Sequence, residues 1–145
     1  MLLLDTNVLS ELRKAGGGKA DPTVIARLSS EDAASFYVSV VTLTELELGI
    51  SLMERRDPSQ GSRLRAWMVS HVLAEFDNRI LPVDRAVALR CARLHVPDPR
   101  PERDAFIAAT ALVHGMTIVT RNVADFSPMG VPVMNPWDNG YEQAG

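Results

Sequence analysis

The sequence has few of the features that mark secreted, membrane-bound or zinc-binding proteins. It contains a single cysteine, Cys91, among 145 residues, so no intramolecular disulfide can form and a cysteine-based zinc site is disfavoured. The longest apolar runs, LLL and MTIV, are much shorter than the roughly 20 residues that a membrane-spanning helix needs. No basic and apolar leader precedes the first predicted strand. We therefore expect a cytoplasmic protein with no membrane association.

Lysine is also scarce, since Lys14 and Lys19 are the only two and the other basic residues are arginines. The formal net charge of -3 argues against a protein that coats nucleic acid through a broad basic surface. It leaves room for a nuclease that takes its positive charge from a metal ion. The absence of lysine after Lys19 argues against a receiver-like signalling domain, which needs a lysine late in the chain.

The length and the 46% of hydrophobic residues suit one domain with a proper core. Short apolar strands alternate with amphipathic helices, a pattern typical of a mainly parallel sheet with helices on both faces. The predicted strands are LLL, FYVSV, RILPVD, MTIVT and VPVM, at residues 2–4, 36–40, 79–84, 116–120 and 131–134. We expect one α/β domain over residues 1–137 and a loose tail over residues 138–145.

Two breaks are predicted between the helices of the first half. The glycine-rich KAGGGKADP, residues 14–22, is expected to form a mobile loop after a helix over residues 6–13. RRDPSQGS, residues 55–62, is predicted to form the loop at the tip of a helical hairpin.

The aspartate that ends the first apolar run has two interpretations. Asp5 stands before an amphipathic helix, where an aspartate commonly caps the first turn. It also stands at the end of a buried strand, and parallel sheets bind their ligands at that edge. The local sequence leaves both interpretations open.

Three other acidic residues have comparable positions. Glu45 falls in the predicted first turn of the helix after the second strand, Asp104 opens the helix before the fourth strand, and Asp125 follows that strand. Each has a purely structural alternative: TLTE at residues 42–45 fits a capping box, Asp104 complements a helix dipole, and Asp125 is a solvated loop residue. Because the ends of parallel strands gather at one edge, the four acids together predict one shared pocket.

The stretches that contain these acids resemble the PIN-domain family, and within it the VapC-type toxin ribonucleases, including the FitB-like branch. The resemblance implies a PIN-like three-layer α/β sandwich with a mainly parallel sheet of about five strands. It covers nearly the whole chain and is carried by LLLDTNVLSEL with Asp5, SVVTLTELELGI with Glu45, RDAFIAATALVHGMTIVTRN with Asp104, and VMNPW.

This resemblance implies a Mg²⁺- or Mn²⁺-dependent endoribonuclease whose metal is held by Asp5, Glu45 and Asp104. Hard divalent ions take oxygen ligands, and a metal so held can activate a water for attack on phosphorus. The resemblance also implies a small VapB-like, DNA-binding antitoxin as partner, and we expect a homodimer. The alternative is a catalytically inactive PIN-like module that acts only by binding.

One position departs from the family pattern. Many relatives carry an aspartate two residues after the threonine of TRN, and this chain has Asn122 there. Asp125 is a candidate replacement, so the fourth acidic position stays open between these two residues. Thr6 and Thr120 are expected to orient the acidic ligands, and Arg121 to contact RNA phosphates.

Overall fold

The computed structural model describes residues 1–138, so the predicted tail, apart from its first residue, lies outside the described residues. Within this range the sheet has five strands in the order β3-β2-β1-β4-β5, and every neighbouring pair is parallel. The strands are β1 Leu2–Leu4, β2 Phe36–Ser39, β3 Ile80–Leu81, β4 Thr117–Val119 and β5 Val133–Met134. The predicted strands are all present, although most are shorter than their apolar runs.

Within the described residues the helices lie between these strands. Their bounds are α1 Thr6–Ala15, α2 Pro22–Ser29, α3 Val40–Arg56, α4 Pro58–Trp67, α5 Arg85–Leu94, α6 Glu102–His114 and α7 Val123–Phe126. Single 3₁₀ turns occur at Ala33–Ser35 and Ser127–Met129, and α4 continues into a π-helical turn at Met68–Leu73. None of the helices within residues 1–138 is both long and apolar enough to cross a bilayer.

Two hydrophobic clusters cover the two faces of the sheet. Leu3 packs in a cluster with residues of α5 and α6, including Cys91 and Ile107. Its neighbour Leu4 packs in a second cluster with residues of α1, α2 and α3, including Val8. Because successive strand residues point to opposite faces, the continuous run LLL is what a strand buried on both sides requires. The prediction of an α/β fold with a parallel sheet between helices is confirmed.

The predicted hairpin loop at residues 55–62 is wrong. Only Asp57 separates α3 from α4, and its side chain accepts a hydrogen bond from the Gln60 amide at 3.2 Å. Pro58 is the first residue of α4, where its missing N–H costs nothing. Gly61 then lets α4 approach α3 closely, since a Cβ at this position would lie 2.5 Å from Glu54 Cα. Pro58 and Gly61, which suggested a loop, therefore belong to α4: Pro58 begins the helix, and Gly61 lies at its contact with α3.

The strand order brings the chemistry to one edge of the sheet. β1 and β4 are neighbours, and the Asp5 amide donates to the carbonyl of Val119 at 3.0 Å. The Thr120 amide donates to Met134 of β5 at 3.0 Å. The residues that follow β1, β4 and β5 therefore lie side by side at the carboxyl edge.

Candidate active site

Asp5 combines both of the roles that its sequence position suggested. One carboxylate oxygen, Oδ1, accepts the Thr6 amide at 2.9 Å and caps α1. The other oxygen, Oδ2, accepts the hydroxyl of Thr120 at 2.8 Å. Only 6% of Asp5 is exposed, and this burial raises the pKa of its carboxyl, although the hydrogen bonds from Thr120 and Thr6 oppose the shift. The cap and the strand-end carboxylate are one buried group.

Thr120 is fully buried and holds this carboxylate in place from β4. Its hydroxyl donates to Asp5 and accepts the backbone N–H of Asn122 at 3.0 Å. The hydroxyl hydrogen is thus directed at the acid, which fixes the orientation of that carboxylate.

Asn7 is a site residue that the sequence reasoning missed. Its Nδ2 donates to Thr120 Oγ1 at 3.2 Å and to Asp5 Oδ2 at 3.3 Å. Its Oδ1 accepts the backbone N–H of Arg121 at 3.1 Å. The signal was available in the sequence, because an amide two residues after Asp5 in the first helical turn is well placed to bond a neighbouring strand end.

Glu45 belongs to the second turn of α3, not to the first, and the predicted capping box at residues 42–45 is wrong. The helix begins at Val40, directly after β2, and Ser39 is its cap, accepting the Val41 amide at 3.0 Å. Thr42 is instead a fully buried residue inside the helix. The strand passes into the helix without a loop, which moves the start three residues upstream of the position that the motif suggested.

The side chain of Glu45 is held from two other helices. The hydroxyl of Thr6, the first residue of α1, donates to Glu45 Oε1 at 2.6 Å. Arg103 Nη1, from the first turn of α6, lies 3.7 Å from Glu45 Oε2. Glu45 therefore faces the same edge as Asp5.

The pKa of Asp104 is influenced by the charges of the other three predicted acids. It lies in the first turn of α6 and is partly buried. Burial, together with the negative charges of Asp5, Asp125 and Glu45, raises its pKa to about 6. An Asp that only capped a helix would have a lowered pKa, because the helix dipole favours the charged form. The raised pKa has the opposite sign, so burial, with the like charges adding to it, outweighs any effect of the helix dipole.

The two candidates for the fourth acidic position differ in their surroundings. Asp125 is an exposed residue of α7, and its charge contributes to the raised pKa of Asp104. Asn122 precedes α7 and is tied through its backbone N–H to Thr120. Among residues 1–138, its side-chain amide makes no hydrogen bond to protein. The structure therefore brings the charge of Asp125 to the pocket and uses the backbone of Asn122.

The donor set fits a hard divalent cation. After burial, the negative charges of Asp5, Asp125 and Glu45 help to raise the pKa of Asp104, and a cation would relieve this repulsion. Within residues 1–138, no three acidic, histidine or cysteine side chains lie close enough together to form a ligand set for a metal ion. Mg²⁺ takes only one or two protein carboxylates and fills its other sites with water and substrate phosphate, so it does not require such a set.

Two of the four acids, Glu45 and Asp104, face an open groove and not a closed chamber. Glu45 and Asp104 line a groove of about 370 Å³, completed by Pro101, Glu102 and Arg103. A more enclosed cavity of about 320 Å³ lies elsewhere, and its lining includes Leu9, Leu12, Trp67, Val72 and Phe76 but none of the four acids. An open groove next to the acids admits a polymer chain, whereas an enclosed pocket favours a small molecule.

An arginine and a tryptophan lie beside the acids at the same edge. The guanidinium carbon of Arg121, which directly follows Thr120, lies over the Trp137 ring at 4.9 Å from its centroid. Trp137 follows β5, and its amide donates to Asn135 Oδ1 at 2.9 Å. This contact is a cation–π interaction between residues that follow neighbouring strands.

The family model for the PIN domain matches residues 2–128. A relative described as "VapC ribonuclease Y4jK" from Sinorhizobium fredii is 34% identical, with 95% of this chain and 99% of the relative aligned. "Toxin FitB" from Neisseria gonorrhoeae is also 34% identical over 94% of this chain and 99% of that protein. Among solved structures, FitAB bound to the IR36 DNA fragment superposes with a TM-score of 0.85 at 34% identity, covering 96% of this chain and 97% of that chain.

The chain belongs to the PIN-domain family. The resemblance stated from the sequence is thereby confirmed, together with the PIN-like sandwich that it implied.

Proposed function

We propose that this protein is a Mg²⁺- or Mn²⁺-dependent endoribonuclease that acts in the cytoplasm as the toxin of a toxin–antitoxin pair. The observation that carries the proposal is the raised pKa of Asp104, about 6, to which the negative charges of Asp5, Asp125 and Glu45 all contribute after burial. Relatives of similar length are described as a ribonuclease and as a toxin. Within the described residues, the groove lined by Glu45 and Asp104 contains no serine, cysteine or histidine, and we assign the attack on phosphorus to a water activated by the cation.

The side chains divide the work of RNA hydrolysis between them. Asp5, Glu45 and Asp104 hold the cation. When bound, the cation supplies an acidified water and neutralises charge on the scissile phosphate. Thr6 and Thr120 orient Glu45 and Asp5 through the hydrogen bonds described above. Such partners fix the direction of ligand oxygens and tune their basicity.

Two further groups act on the substrate. Asp125 is an exposed carboxylate whose charge contributes to the raised pKa of Asp104. In this proposal it accepts the proton of the attacking water. Arg103, already 3.7 Å from Glu45, is available to bind a phosphate oxygen in the groove. Together they place a proton acceptor and a phosphate-binding group beside the carboxylates.

A toxin of this type needs a partner that restrains it. The superposed FitAB structure contains DNA, and FitB is itself described as a toxin. We extend this arrangement to the present chain as a small VapB-like antitoxin that blocks the groove and binds operator DNA. We also propose that the toxin forms a homodimer.

The deciding experiment measures RNA cleavage by the purified chain, free of partner. We expect cleavage with Mg²⁺ or Mn²⁺, loss of cleavage in excess EDTA, and recovery when the ion is restored. Undiminished cleavage in EDTA contradicts the metal mechanism. An inert parent with every RNA tested, and with either ion, would favour the alternative of a catalytically inactive binding module, for which Asn122 is the sequence hint.

A further inference from the structure

Arg121 and Trp137 form a paired surface at the edge that carries the acids. The guanidinium of Arg121 covers one side of the indole at 4.9 Å from its centroid. The indole is half-buried and packs against the hydrophobic cluster that contains Leu4. Arg121 itself is exposed. The tryptophan therefore supports the arginine from below, and the guanidinium is the outer surface of the pair.

Hydrogen bonds hold both of the chain segments that carry this pair. The Arg121 amide is held by Asn7 Oδ1 at 3.1 Å, and the same Asn7 bonds Asp5. The segment after β5 is held by the Asn135 contact and by Arg27, whose Nη1 donates to the carbonyl of Asp138 at 3.0 Å. The backbone of Arg121 is thus held at the same edge of the sheet as Asp5, and the Trp137 ring supports its guanidinium.

We propose that Arg121, supported by Trp137, is a stacking site for one unpaired nucleobase of the RNA strand, next to the scissile phosphate. A planar guanidinium stacks on the face of a base, and unpaired RNA is commonly held this way. Stacking of this kind requires an unstacked base, so the site selects single-stranded over duplex RNA. The inference rests on the proposed ribonuclease function, and Trp137 is a positioning residue in it.

Two variants separate stacking from simple charge attraction. Arg121→Lys keeps the positive charge but removes the planar group, whereas Arg121→Gln removes both. If the base stacks, both variants weaken binding of a short single-stranded RNA about tenfold, and lysine does not rescue. If only charge matters, Arg121→Lys binds like the parent and the proposal is overturned.

A second comparison tests the base itself. Single abasic sites are scanned along the same oligonucleotide, with affinity measured in EDTA to suppress cleavage. One abasic position should weaken binding to the parent about tenfold but leave binding to Arg121→Lys unchanged, because the contact is already lost. Equal losses in parent and variant at every position would overturn the proposal.

Fluorescence and kinetic measurements test the role of Trp137 in binding RNA, with a second tryptophan variant as the control for effects on the fold. The sequence has two tryptophans, so Trp67→Phe leaves Trp137 as the sole tryptophan, whose fluorescence can be excited selectively, and serves as the matched control remote from the acids. Its fluorescence should change on binding the single-stranded RNA and not on adding an equal concentration of duplex. Trp137→Phe should raise KM severalfold with kcat nearly unchanged, while Trp67→Phe matches the parent. A fluorescence signal that is absent, or equal for both RNAs, contradicts the stacking site.

The outcomes distinguish this inference from the ribonuclease proposal. A parent that cleaves RNA while the abasic and lysine tests are negative retains the nuclease and loses the stacking site. A parent that never cleaves but passes both tests retains a single-strand binding site and loses the nuclease.

Discussion

Thr6 joins the acid that directly follows β1 to an acid in the second turn of α3. Its hydroxyl donates to Glu45 Oε1 at 2.6 Å, and its amide donates to Asp5 Oδ1 at 2.9 Å. One residue at the start of α1 therefore sets the relative placement of two carboxylates that are 40 positions apart in the chain.

Loss of the Thr6 hydroxyl should impair activity more than folding. Thr6→Val keeps the branched shape but leaves Glu45 without its donor, so we expect kcat/KM for RNA to fall about 10- to 100-fold. Thr6→Ser retains the hydroxyl and should recover most of the activity. Steady-state cleavage rates of the three proteins check this, and a Thr6→Val enzyme as active as the parent would show that the hydrogen bond is dispensable.

Removal of the Asp104 charge should stabilise the metal-free protein in a pH-dependent way. Its pKa is raised from 3.8 to about 6 in the fold, so between these values the folded protein binds more protons than the unfolded chain. The free energy of unfolding therefore falls as pH rises through this window. In EDTA at about pH 7.5, Asp104→Asn should be more stable by about 2 kcal/mol after allowance for solvent screening, and near pH 4 the gain should vanish.

The control for this measurement is a helix cap outside the pocket. Asp84 caps α5 by accepting the Val87 amide at 3.0 Å, and asparagine caps about as well as aspartate. Asp84→Asn should change stability little at either pH. Thermal melts with and without Mg²⁺ complete the test, since Asp104→Asn should lose most of the stabilisation that ion binding gives the parent. An Asp104→Asn protein that melts at or below the parent in EDTA at neutral pH would show that the acids do not repel.

The fourth acidic position can be assigned by comparing two alanine variants. The charge of Asp125 influences Asp104, whereas Asn122 contributes only a backbone N–H. Asp125→Ala should therefore raise the Mg²⁺ concentration needed for half-maximal cleavage more than Asn122→Ala does. The reverse order would assign the position to the Asn122 side chain. Equal and negligible effects would leave a site of three carboxylates.

Substitution by alanine should have opposite effects on stability at two helical glycines, because only Gly61 lies at the contact between α3 and α4. A Cβ at Gly61 would lie 2.5 Å from Glu54 Cα, so Gly61→Ala must push the helices apart and should destabilise the fold by about 2 kcal/mol. Gly49 lies in α3 with no atom within 4 Å of such a Cβ, so Gly49→Ala should stabilise by about 1 kcal/mol through helix propensity. Urea denaturation of both variants decides the matter, and a stabilised Gly61→Ala would show that the close approach is absent.

The strands and the class of fold followed from local patterns. The three central strands, β1, β2 and β4, bury residues on both faces, and this property is visible in consecutive residues because a central parallel strand is covered on both sides. The edge strands β3 and β5 are only partly buried. The breaks between helices were harder to predict. Proline and glycine are common in turns, yet Pro58 and Gly61 both belong to α4. Pro58 is tolerated because the N–H groups of the first helical turn have no partner within the helix, and Gly61 because α4 packs closely against α3 there.

The sequence by itself determined that four acids lie at or near the ends of strands and starts of helices, because that depends only on residues that are neighbours in the chain. Only the tertiary structure decided what each acid contacts. The order β3-β2-β1-β4-β5 places Thr120 beside Asp5 and Trp137 under Arg121, and helix packing brings Thr6 to Glu45. These hydrogen bonds and charge interactions act over a few ångströms between residues remote in sequence, so they exist only once the strands have been paired in that order.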